Sequence, residues 1–142
     1  MAKARIRPIA LGLIEYNRHL FVSKGQDSAS GSDFYRFLGG GIDFGETSLD
    51  ALKREFQEEI QADLTNIQYL GCLENIFTCH GKAGHELIQL FRCDFVDMRF
   101  HQLEKTFTLI EGEDQHEAIW IPIDQVQAGK LNLVPLNCHQ FF

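Results

Sequence analysis

The chain has 142 residues, 44% hydrophobic and 23% charged, a composition that excludes a disordered, collagen-like or fibrous chain. A chain this long buries roughly two thirds of its unfolded surface, enough for a core without disulfide or metal staples, so one domain over residues 1–142 is expected. With 13 Lys and Arg against 20 Asp and Glu, the net charge is -7. That field repels phosphate backbones and argues against binding of bulk nucleic acid.

In chain order, Lys3, Arg5 and Arg7 precede the apolar run Ile9–Ile14. The run is broken by Gly12 and closed by Glu15, is too short to cross a membrane, and lacks a small-residue cleavage site. A buried strand and a cytoplasmic location are expected. Further strands are predicted at His19–Ser23, Phe34–Leu38, Tyr69–Phe77, Leu87–Phe95, Thr106–Ile110 and Ala118–Ile123, each bounded by turn formers. The Ser/Gly-rich stretch Ser23–Ser32 is predicted as a loop. One strong helix, from about Thr47 to Gln61, follows from Leu49, Leu52, Phe56 and Ile60 at helical spacing, with Thr47 or Ser48 as its cap. A shorter helix is predicted from Asp124 to Ala128, ending at Gly129. Many strands with one or two helices give an α+β class, a mixed sheet covered by helices. The four cysteines, Cys72, Cys79, Cys93 and Cys138, form no paired motif and read as free thiols in a reducing compartment.

On the long helix, Glu55, Glu58 and Glu59 share an arc beside the apolar face, because spacings of three and four residues bring side chains together. Carboxylates so placed repel one another, and Lys53 and Arg54 do not neutralise all three. A hard divalent cation would, since Mg²⁺ takes oxygen ligands and substrate phosphates. Taken alone, the three residues fit a solvated acidic face better than a metal site. The glycines before the helix change that balance. Gly39-Gly40-Gly41 follows a strand and Gly45-Glu46 leads into the helix, and bare backbone there can approach a metal or phosphate closely.

Gly40, five residues, Glu46, seven residues and then Arg54-Glu55-Phe56-Gln57-Glu58-Glu59 together resemble the Nudix box, with Ala62 at its last apolar position. Gln61 stands where the pattern has glycine, and Leu38 where many members place proline. A non-glycine at the helix end costs about 1 kcal/mol or moves the end, so an altered helix terminus is expected. The resemblance implies an α/β/α sandwich with a mixed central sheet, and cleavage of a diphosphate-linked small nucleotide with Mg²⁺ or Mn²⁺. It implies Glu58 and Glu59 as metal ligands and Glu55 as a further ligand or general base. The Gly39 carbonyl would complete the shell, and Arg54 would hold Glu46 or Glu55.

A base from a later loop is the other arrangement the resemblance implies. Glu113 and Glu117 are the candidates in the acidic run Glu111–Glu117, with Glu86, read as solvent-facing, a weaker one. Arg36 is the best-placed phosphate cation, against the reading of a plain sheet-surface arginine. Tyr35, Phe34 and Phe77 are candidates for stacking on a nucleobase, although most of the 12 phenylalanines must be core. The set Cys72, Cys79, His80, His85 and Cys93 does not match the usual zinc spacings. The subgroup marks for ADP-ribose and dinucleoside polyphosphate hydrolases are absent, which leaves the substrate open. A non-hydrolysing nucleotide-binding module on the same fold is the alternative reading, and an RNA cap hydrolase is disfavoured by the acidic charge. The apolar stretch His139–Phe142 is expected to dock on the body or on a second copy in a homodimer.

Overall fold

The computed structural model describes residues 4–142, so Lys3 of the basic start lies outside the described residues. Apolar alternation builds β1 (Arg7–Leu13), β2 (Glu15–Tyr16), β3 (His19–Gln26) and β4 (Asp33–Gly41). Next come α1 (Ser48–Ile60), β5 (Leu64–Cys79), β6 (Lys82–Phe95), β7 (Phe107–Glu111), β8 (Asp114–Pro122) and α2 (Ile123–Gln127). Two 3₁₀ turns, Met98–Phe100 and Leu136–Phe141, were not predicted. The strands join in the order β5-β6-β1-β4-β3-β8-β7, with β2 on β3. β1 runs parallel to β6 and the other strand pairs are antiparallel, which makes the sheet mixed.

Alternate residues of β1 feed two separate cores. Ala10 joins a cluster with Ala51, Leu52, Phe56 and Ile60 of α1, together with Phe21, Phe95 and Trp120. Ile9, Leu11 and Leu13 join the other, with Ile123 and Val126 of α2 and with Leu133 and Cys138. The period of two along the strand therefore splits the molecule into helix, sheet and helix layers, the predicted α+β sandwich. Leu49, expected on the apolar stripe of α1, is instead exposed, and Ala51 takes the buried position.

The strand extensions at β3 and β6 share one cause: cross-strand hydrogen bonds carry polar sequence into strands. β3 continues to Gln26 because Ser23–Gln26 pairs with Asp33–Arg36. β6 begins at Lys82, its polar start paired with Asn75–Cys79 of β5. Ile123 opens α2 rather than closing β8. Phe141 and Phe142 pack on the α2-side core, with Arg92 donating to the Phe141 carbonyl.

Candidate active site

Thr47 caps α1, its hydroxyl accepting from the Asp50 N–H at 3.1 Å. The other end closes at Gln61, which adopts the left-handed conformation itself (φ 52°, ψ 45°). Its N–H reaches the Gln57 carbonyl, and the Ala62 N–H reaches the Phe56 carbonyl at 3.3 Å. The terminus is thus not displaced by the missing glycine. Gln61 bears the strain in place.

The three glycines form no loop; they are the last residues of β4. Gly41, Gly40 and Gly39 pair with Ile9, Ala10 and Leu11. At Gly39 φ is 146°, and a Cβ would fall 1.9 Å from the Ala10 carbonyl oxygen. At Gly40 a Cβ would fall 2.5 Å from the Glu55 carboxyl carbon. Bare backbone at position 40 is therefore what lets the Glu55 carboxylate lie on the sheet.

Arg54 organises the carboxylates around this notch. Its Nε and Nη2 grip Glu46 at 2.8 and 2.9 Å, and Nη2 also donates to the Gly41 carbonyl at 2.9 Å. Its Nη1 donates to Glu55 at 3.0 Å and to Glu58 at 3.2 Å. The Arg54 hydrogen bonds, helped by the Asp43 N–H, hold the Glu46 carboxyl down at about 2. Glu46 in turn raises the Arg54 guanidinium above its ordinary value, against the opposing effect of burial.

Arg54 leaves Glu59 alone. That carboxylate is 8% exposed and lines a cleft of about 780 Å³ with Gly39, Gly40, Arg36, Glu86 and Glu111. Burial pushes its pKa well above the usual carboxylate range, and Glu55, Glu111 and Glu58 push it further. Glu55 lies within hydrogen-bond reach of Glu59, while Arg54 Nη1 bonds both Glu55 and Glu58. Among the described residues, three ligand atoms come within 4.8 Å of one another only at Asp27, Cys79 and His80.

A model of the NUDIX domain matches residues 6–138. The chain belongs to the NUDIX family. Its fold is shared by a NUDIX hydrolase from Nitrosomonas europaea at 16% identity and TM-score 0.65, over 96% of this chain and 85% of that one. It is shared too by a MutT NUDIX hydrolase from Burkholderia pseudomallei, at 19% identity and TM-score 0.61 over 84% and 85% of the two chains. An ADP compounds hydrolase aligns at 17% identity and TM-score 0.56, over 88% of this chain and 62% of its own. No curated protein matches the sequence closely enough to count as a relative. As a NUDIX hydrolase, the chain is a pyrophosphohydrolase.

The other expected site residues scatter. Arg36 lines the cleft, its Nη2 bonded to Glu86 at 2.8 Å, and Glu86 also accepts from Asn75 at 3.2 Å. Glu86 does not face solvent; it is 4% exposed. Tyr35 does not line the cleft either. Its ring is buried in the α2-side core beside Leu133; of the three stacking candidates Phe34 lines the cleft, as does the buried Phe37, while Phe77 lines a neighbouring hollow. Glu113 sits exposed in the turn between β7 and β8, outside the cleft lining, whereas Glu111 and Glu117 are part of it. Glu111 had a readable signal: Phe107 and Leu109 are buried toward α1, and position 111 continues their period of two.

Proposed function

We propose that this NUDIX hydrolase cleaves the diphosphate linkage of a small nucleoside-diphosphate derivative, using Mg²⁺ or Mn²⁺ held by Glu55, Glu58, Glu59 and the Gly39 carbonyl. The observation that carries the reading is Glu59, a buried carboxylate facing the cleft with Glu55, Glu58 and Glu111 around it and no arginine bond of its own. An all-oxygen donor set of this charge suits a hard divalent cation. Held there, such an ion would offset the carboxylate repulsion and supply positive charge for a substrate diphosphate and for an attacking water. Glu58, with its side chain 58% exposed, is free to swing from Arg54 toward the cleft.

The remaining roles follow from position. Arg54 keeps Glu46 and Glu55 in place and stays out of the substrate's way. Arg36, tethered by Glu86, presents its charge to a phosphate without being free to wander. Phe34 offers a ring face to the base, in place of Tyr35. Glu111, across from Glu59, replaces Glu113 as the loop carboxylate that accepts the water's proton. The fold similarity to an ADP compounds hydrolase supports including adenosine diphosphate conjugates in the substrate panel.

Nucleotide sugars, ADP-ribose, dinucleoside polyphosphates and nucleoside triphosphates are to be incubated with Mg²⁺ or with EDTA. Release of a nucleoside monophosphate or phosphate only with the ion is the expected result. Glu58→Gln and Glu59→Gln should each lower turnover at least tenfold with unchanged circular dichroism. Wild-type turnover in both variants would remove the metal assignment.

A further inference from the structure

A second set of donors converges away from the glutamates. Asp27 opens the 27–32 loop between β3 and β4, Cys79 ends β5, and His80 stands in the turn before β6. One ring nitrogen of His80, the Cys79 sulfur and a carboxylate oxygen of Asp27 lie within 4.8 Å of one another. The two turns are already tied together. The His80 N–H donates to Asp27 Oδ1 at 3.1 Å, and the Ser28 N–H donates to His80 Nδ1 at 3.2 Å. The N–H groups of Ala29 and His80 also hold the Asp27 carboxyl below its usual range, so it is ionised at neutral pH. A hydrogen-bonded latch accounts for Asp27 and His80. It gives Cys79 no part, for none of these bonds involves its thiol.

We propose that Asp27, Cys79 and His80 form a binding site for a borderline-soft divalent cation, Zn²⁺, which clamps the β3–β4 loop to the β5–β6 turn at the rim of the cleft. Thiolate, imidazole and carboxylate are the ligand types zinc takes, with bonds of about 2.0–2.3 Å and a fourth position left to water. Tetrahedral donors stand roughly 3.5 Å apart, so the set needs to close by no more than about 1.3 Å. Side chains on two turns can move that far. On binding, the Cys79 thiol gives its proton to solvent and its sulfur bonds the metal. Mg²⁺ has no use for a thiolate, so the glutamates and this triad sort cations by hardness. The location couples the two, because His80 lines the catalytic cleft while Asp27 and Cys79 line the adjoining hollow of about 470 Å³. Sequence spacing could not show the site: Asp27 comes from a distant turn, and Cys72, His85 and Cys93 take no part in it. Burial pushes the Cys93 and Cys138 thiols up to about 12, which removes them as competing ligands.

The test uses the full chain in excess Mg²⁺, which occupies the all-oxygen site, with Co²⁺ as a spectroscopic substitute for zinc. One equivalent of Co²⁺ should produce a thiolate-to-cobalt charge-transfer band, and Zn²⁺ should abolish it. The band should vanish in Cys79→Ser, need at least tenfold more Co²⁺ in His80→Ala, and persist in Cys72→Ser. Zn²⁺ should raise the melting temperature of the wild type and not that of Cys79→Ser. Circular dichroism of each variant checks that it is folded, and His80→Ala, a change at an exposed turn, carries the test if Cys79→Ser is not. Absence of the band, its survival in Cys79→Ser, or its loss in Cys72→Ser would overturn the site.

Discussion

Arg54 answers five acceptor contacts with one guanidinium, on Glu46, Glu55, Glu58 and the Gly41 carbonyl. Removing it leaves the half-buried Glu46 and Glu55 without their cation, so Arg54→Ala should lower the urea midpoint of unfolding. Glu46 makes the same network sensitive to acid. Its carboxyl has an ordinary value of 4.5 and is held at about 2 in the fold, so its stabilisation is complete above 4.5 and is lost as pH falls toward 2. Melting temperature should therefore decline over that window, and less steeply in Glu46→Gln. Glu46, Arg54 and Glu55 were legible because their spacing is a motif in one dimension. Glu111 and Glu113 both continue the period of two set by the buried Phe107 and Leu109, so phase alone does not separate them; β7 ends at Glu111 and Glu113 falls in the turn, an end that a run of charges does not mark.

Elements were legible where apolar periodicity sets them. Helix α1 occupies Ser48–Ile60, inside its predicted span, and Thr47 rather than Ser48 proved to be the cap. Strand ends were the weak point. The polar stretches Ser23–Gln26 and Lys82–Glu86 join the sheet only because a partner backbone lies alongside, and a single strand's composition does not report its neighbour. The end of α1 makes a prediction of its own. Gln61 is held left-handed at φ 52°, and glycine adopts that conformation without steric cost. Gln61→Gly should stabilise the protein by roughly 0.5–1 kcal/mol after the extra unfolded-chain entropy is counted, read from the shift in denaturation midpoint.

At the scale of the whole molecule, a sheet with a core on each face supports a negatively charged site at the end of one helix, in a chain already carrying -7. Burial first, and then Glu55, Glu111 and Glu58, shift Glu59 toward its protonated form while no ion is bound. Uptake of Mg²⁺ should therefore release a proton and tighten as pH rises. Calorimetric titrations in buffers of different ionisation enthalpy measure this directly, and an apparent heat independent of buffer would exclude Glu59 as the titrating ligand. Strand β4 finally imposes a rule on how the gene can change. Arg36 and Gly39–Gly41 lie on one continuous strand held by β3 on one side and β1 on the other, so adding or deleting a single codon there turns every later side chain to the opposite face. Insertions and deletions are expected to be tolerated at the turn at 112–113, outside both sites, whereas this segment can change only by substitution without losing its register.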